Sequence, residues 1–172
     1  MDRTSQSAKQ PVSAVLAGPY GHPFHPILVT VPIGAWIASL VFDLASYVHD
    51  RPAFLVEGSR WLIALGVLGA LAAASVGALD FLAIPTGTRA RRTAVVHLTL
   101  NLTITCAYAG NFWWRQNLTV DQDPIPAGPL VLSVLSVAAL SVSGYLGGKL
   151  AYRYGVRVAD EDTQAEGYLG GP

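Results

Sequence analysis

An all-α chain folded as an antiparallel four-helix transmembrane bundle is what three observations on this 172-residue sequence predict. Hydrophobic residues make up 52% of it and charged residues 13%, about half the charged share of an average soluble domain. Four stretches are free of Asp, Glu, Lys and Arg for about the 17 to 25 helical residues that a bilayer core demands. No alternating strand pattern competes with them. A segment in lipid must satisfy its backbone polar groups internally, so apolar runs joined by short connections imply neighbouring antiparallel helices.

The elements follow in order. Residues 1–20 carry Asp2, Arg3, Lys9 and many small polar side chains without an apolar stretch. They are expected to form a polar cytoplasmic segment rather than a cleavable signal peptide. The transmembrane domain is expected over 21–158, with helices at about 26–48, 60–84, 93–114 and 128–150. Pro26 suits the first turn of the first helix, which runs past Asp43. The second carries two ladders of small residues, Gly66, Ala70, Ala74 and Gly69, Ala73, Gly77, suited to close helix approach. In the third, His97, Asn101, Thr105 and Tyr108 recur at intervals of four, four and three. At about 100° per residue they share an arc of roughly 80°. Pro124, Pro126 and Pro129 mark the loop before the fourth helix, which ends near the Gly144 and Gly148 pair. Residues 159–172 are acidic and glycine-rich and read as a flexible cytoplasmic tail.

Charge bounds both function and orientation. Eleven Lys and Arg balance eleven Asp and Glu, so no basic field favours nucleic acid. Arg3, Lys9, Arg89, Arg91, Arg92, Lys149, Arg153 and Arg157 fall on one face of the expected bundle and only Arg51, Arg60 and Arg115 on the other, placing both termini in the cytoplasm. Trp61, Trp113 and Trp114 mark the outer interface, and Tyr20, Tyr152 and Tyr154 the inner one. The Arg89, Arg91, Arg92 cluster reads as an anionic-lipid anchor. The single cysteine, Cys106, excludes an internal disulfide and a cysteine-held cluster.

Polar groups at apolar depth carry what chemistry the chain has. His22 and His25 lie in GHPFHP, where each proline stiffens the approach to the first helix. His97 and Asp80 sit at matched depth, so His22, His25, Asp80 and His97 are expected to converge in the cytoplasmic half. Three uses remain open. His25 and His97 can be axial ligands of haem b, with Asn101 in support. All four can hold a divalent metal. Or Asp80 and Asn101 orient His97 in a cofactor-free network that fixes helix packing. Asp43 lies in the outer half, where Arg60 is its expected ion-pair partner. No nucleophile with a base and an orienting group is evident, which weighs against a hydrolase.

The stretch GHPFHPILVTVPIGAWIASLVFDL resembles the opening of a family of predicted four-helix bacterial membrane proteins without an assigned function. The Asp80 region, TRARR followed by His97 and Asn101, and SGYLGGKLAYRYGV extend the resemblance over about residues 18–158. It implies an integral inner-membrane protein. Relatives joined to Rieske-type iron–sulfur domains imply an electron-transfer setting, although this sequence lacks the ligand pattern of such a domain. Expected partners are the bilayer and either a redox protein or further copies of the chain.

Overall fold

The computed structural model describes residues 6–118 and 124–169; the ends of the expected N-terminal segment and tail, 1–5 and 170–172, lie outside it. The described residues contain helices and turns and no strand. A short α1 (Ala14–Ala17) precedes α2 (His25–Leu28), α3 (Thr30–Ala45), α4 (Pro52–Leu82), α5 (Arg89–Gln116) and α6 (Ala127–Gly148). A π-helical turn, Lys149–Arg153, continues α6, and α7 (Glu161–Glu166) lies within the expected tail.

Each boundary has a local cause. Pro32 has no N–H for the Leu28 carbonyl and its ring crowds that group. The apolar run therefore breaks at Val29, between α2 and α3, and Thr30 Oγ1 donates to the Ile27 carbonyl at 2.7 Å. Pro52 in the first turn starts α4 ahead of the expected residue 60, so Glu57 and Arg60 lie inside a helix and pair there. The Thr88 side chain caps α5 by accepting from Arg91 N at 3.1 Å. Gly18, at φ +87, turns the chain between α1 and the histidine-bearing approach; a Cβ there would strike the His22 carbonyl.

Packing follows chain order: α3 lies on α4, α4 on α5, α5 on α6, and α6 returns against α3. Trp36 stacks on Tyr108 with centroids 4.3 Å apart, and Ile63 and Ile104 complete that cluster. Nearer the chain termini, Ile84, Ala94 and Leu150 form a second one. The outward pattern is the reverse of a water-soluble protein. Val41, Leu68, Val96, Leu135 and Val142 are exposed, whereas Asp43, Arg115, Asn111, Ser39, Ser59 and Ser133 are fully buried. Among the described residues three segments, His25–Ala45, Pro52–Leu82 and Ala127–Arg153, are long and apolar enough to cross a membrane.

Candidate functional site

The two histidines arrive from opposite halves of the chain. The α2 turn carries His25 to α4, where Nδ1 lies 2.9 Å from the Ala73 carbonyl. His97 on α5 makes the equivalent contact with α6, Nδ1 to the Ser143 carbonyl at 2.9 Å. A carbonyl only accepts, so each Nδ1 carries the proton and donates it, and a neutral ring keeps its lone pair on Nε2. The rings meet edge to face with centroids 6.5 Å apart and planes at 86°.

Glycine makes room for both rings. A Cβ on Gly77 would lie 2.8 Å from the His25 ring, and one on Gly147 3.2 Å from His97. Gly77 belongs to a ladder read from sequence as a helix-packing seam, and here its gap is filled by imidazole. Asn101, one turn beyond His97, donates through Nδ2 to the Ser143 hydroxyl at 2.6 Å and to the His97 carbonyl at 2.8 Å. The same nitrogen stands 3.2 Å from His97 Nε2. The sequence thus brings His25, His97 and Asn101 together with Ser143, which sequence reasoning missed.

Asp80 and His22 fare differently. Asp80 Oδ1 lies 2.7 Å from Arg157 Nε, a charge contact without hydrogen-bond alignment. Arg157 in turn donates to the carbonyls of Ala17 and Gly18 at 3.0 and 2.8 Å. Its backbone N–H donates to the Ala8 carbonyl at 2.9 Å. Lys9 reaches the carbonyls of Val158 and Ala159, each at 3.4 Å. The segments flanking the helices are thereby sewn together beside Asp80. His22 is exposed, with Nδ1 3.4 Å from the Tyr20 carbonyl. Among the described residues no group of three or more His, Cys, Asp or Glu is placed to hold a metal ion, so the expected set of His22, His25, Asp80 and His97 is not assembled.

The expected Asp43–Arg60 pair is also not formed. Arg115 from α5 meets Asp43 on α3 with both terminal nitrogens, at 2.8 and 2.7 Å. Its remaining donors reach Ser59 Oγ at 3.0 Å, Ser133 Oγ at 3.2 Å and Asn111 Oδ1 at 3.0 Å. Arg60 instead pairs with Glu57 on its own helix, both partly exposed. The physical reason lies in reach and burial. Arg115 points inward from the end of α5 and presents a fork matched to a carboxylate, whereas Arg60 remains at the water-facing side with a nearer acid. A signal for Arg115 was present: the stripe of His97, Asn101, Thr105 and Tyr108 continues to Asn111 and Arg115 at intervals of three and four.

A family model described as "Predicted membrane protein (DUF2231)" matches residues 21–160. No curated protein and no solved structure matches the chain.

Proposed function

We propose, from the premise that this chain belongs to the DUF2231 family of predicted membrane proteins, that α2 with α3, α4, α5 and α6 form an antiparallel four-helix bundle spanning the bacterial inner membrane. Residues 21–158 are the membrane domain, with 1–20 and 159–172 in the cytoplasm. The inward placement of the strongest polar groups of α5 supports this: Asn101, Asn111 and Arg115 reach Ser143, Ser133 and Asp43, while Val95, Val96 and Leu102 face outward. The eight-to-three distribution of Lys and Arg supports the orientation. A reporter active only in the periplasm, fused after Pro172, should be silent; activity would reverse it.

Within that bundle we infer that His25 and His97 are the residues that would hold a b-type haem, in an electron-transfer subunit. The observation that carries this reading is the anchoring of each Nδ1 to a carbonyl on a facing helix, which fixes ring orientation and leaves Nε2 as the donor, as in ligating histidines. The donor set fits. Two imidazoles are a sufficient protein ligand set for a haem iron. A bound haem would supply one-electron chemistry, and Asn101 and Ser143 would hold His97 in place. Purified protein made with ample haem should show a reducible visible band and one iron per chain. His97→Ala should lose both while still inserting in the membrane. Colourless, iron-free wild-type protein would overturn the assignment.

A second reading, a cofactor-free scaffold or accessory subunit, is favoured by a specific observation: Asp43, Asp80 and Asn101 all have partners within the chain. On that reading His97→Ala changes stability alone.

A further inference from the structure

Where α6 ends, the chain widens into the π-helical turn Lys149–Arg153. A shallow cavity of about 600 Å³ opens on that surface, lined by Tyr145, Gly148, Lys149, Tyr152 and Arg153. Lys149 and Arg153 bring two cations to it, and neither is ion-paired with a carboxylate among the described residues. Lys149 Nζ sits 5.7 Å from the centre of the Tyr154 ring. Tyr145 and Tyr152 flank the cations and are exposed by 70% and 91%.

The floor of the cleft runs from the cations into the apolar helix. A Cβ on Gly144 would meet nothing within 4 Å, and one on Gly148 would meet only Tyr152 Cδ2 at 3.9 Å. The result is a trough with charge at one end, amphipathic rings beside it and bare backbone leading toward the middle of a span. Those properties fit an amphiphile with an anionic head and a hydrocarbon tail. A second copy of the chain fits less well, because parallel pairing on this face would bring four cations together without an acid between them.

We propose that this cleft binds one anionic phospholipid, its phosphate against Lys149 and Arg153 and an acyl chain along the Gly144 and Gly148 face. The site is separate from the histidine pair and rests only on placement of α6 in a membrane. Tyr145 and Tyr152 bracket the glycerol region, as aromatic side chains do at the headgroup level.

Native mass spectrometry of the full chain in neutral detergent, with phosphatidylglycerol or phosphatidylcholine added at equal concentration, tests this. Wild type should retain one phosphatidylglycerol and little phosphatidylcholine. K149Q/R153Q should weaken retention about thirtyfold, the effect of losing two basic residues at an anionic headgroup. R89Q/R92Q removes the same charge from the separate cluster read from sequence as a lipid anchor; it should lower loose lipid association but leave the one most tightly retained phosphatidylglycerol in place. G148L fills the trough, keeps every charge and is tolerated by the backbone, and it should lose the lipid with an unaltered far-ultraviolet dichroism spectrum. That arm decides should K149Q/R153Q fail to accumulate. Equal retention of both lipids, or equal loss in R89Q/R92Q, overturns the proposal as diffuse attraction. Displacement of the lipid by inorganic phosphate with G148L unaffected means a bare phosphate site. A dimer abolished by G148L, without lipid retention, means a second copy; either result also overturns it.

Discussion

Replacing Asp43 by Asn removes the only carboxylate that Arg115 touches among the described residues while leaving a side chain of nearly the same size. The guanidinium is 1% exposed and the carboxylate 0%, and they are joined by two short hydrogen bonds. Removing one partner of such a pair strands an uncompensated charge and costs about 3–5 kcal/mol. Arg115→Gln should cost a similar amount by stranding Asp43. The double variant D43N/R115Q strands neither charge; it takes the donor from Asn111 Oδ1, at about 1–3 kcal/mol for an unsatisfied buried group. It should therefore be less destabilised than the sum of the single variants, and the difference is a direct coupling. Arg60→Gln is the control. Its pair with Glu57 is part-exposed, and such pairs contribute about 0–1 kcal/mol. Unfolding in mixed micelles with increasing dodecyl sulfate, followed by far-ultraviolet dichroism, reads all four. Additive single effects, or an Arg60→Gln loss equal to that of Arg115→Gln, would refute the reasoning.

Other outcomes follow from glycine placement and capping. Gly66 lies under the Trp36 indole, and an added Cβ would fall within its contact distance. Gly66→Ala should disturb the Trp36–Tyr108 stack and cost about 1–3 kcal/mol, as overpacking does, whereas Gly34→Ala, with open space around its Cβ, should cost nothing measurable; Trp fluorescence and the same unfolding assay check both. At the start of α7, Asp160 Oδ1 accepts from Thr163 N at 2.9 Å. That bond, first among its surroundings, holds the carboxyl below its ordinary value of 3.8. The cap is therefore fully present above 3.8 and is lost as pH falls through the lowered value. The protection factor of the Thr163 amide, its exchange rate corrected for the intrinsic pH dependence, should be flat above that window and fall below it. A fall beginning well above 3.8 would sink the cap argument, and Asp160→Asn should remove the pH dependence of protection.

Much of the fold was legible because the bilayer imposes a crude filter of length and apolarity that α4 and α6 pass plainly. The break at Val29 was legible in principle from Pro32, but a long apolar run hides it, since composition does not register a missing N–H. The early start of α4 was hidden for the opposite reason: Glu57 and Arg60 interrupt the apolar run although they sit on a continuous helix. At the site, periodicity on α5 located His97 and Asn101, because stripes on one helix are a local property. Pair assignment was not local. Choosing between Arg60 and Arg115 for Asp43 depends on which helix end points inward, which depth along separate helices does not reveal. Arg157 was read as a cytoplasmic charge, and its burial against Asp80 depends on the turn at Gly155 with φ +68, where the chain doubles back.

The sequence positions of the two ion pairs bear on how such a chain is made. Asp43 and Asp80 belong to α3 and α4, whereas Arg115 and Arg157 come from α5 and from the chain beyond α6. Asp43 is separated from its arginine by 72 residues. During synthesis the first helical pair therefore enters the membrane with both acids unmatched, and each waits for an arginine that the ribosome has yet to supply. Holding a lone carboxylate there is costly, so the early pair is an unfinished intermediate that must stay near water or be sheltered by the insertion machinery. Completion arrives in two steps, one when α5 delivers Arg115 and one when the end of the chain delivers Arg157. A chain cut between them would carry Asp80 without the arginine that meets it in the finished fold.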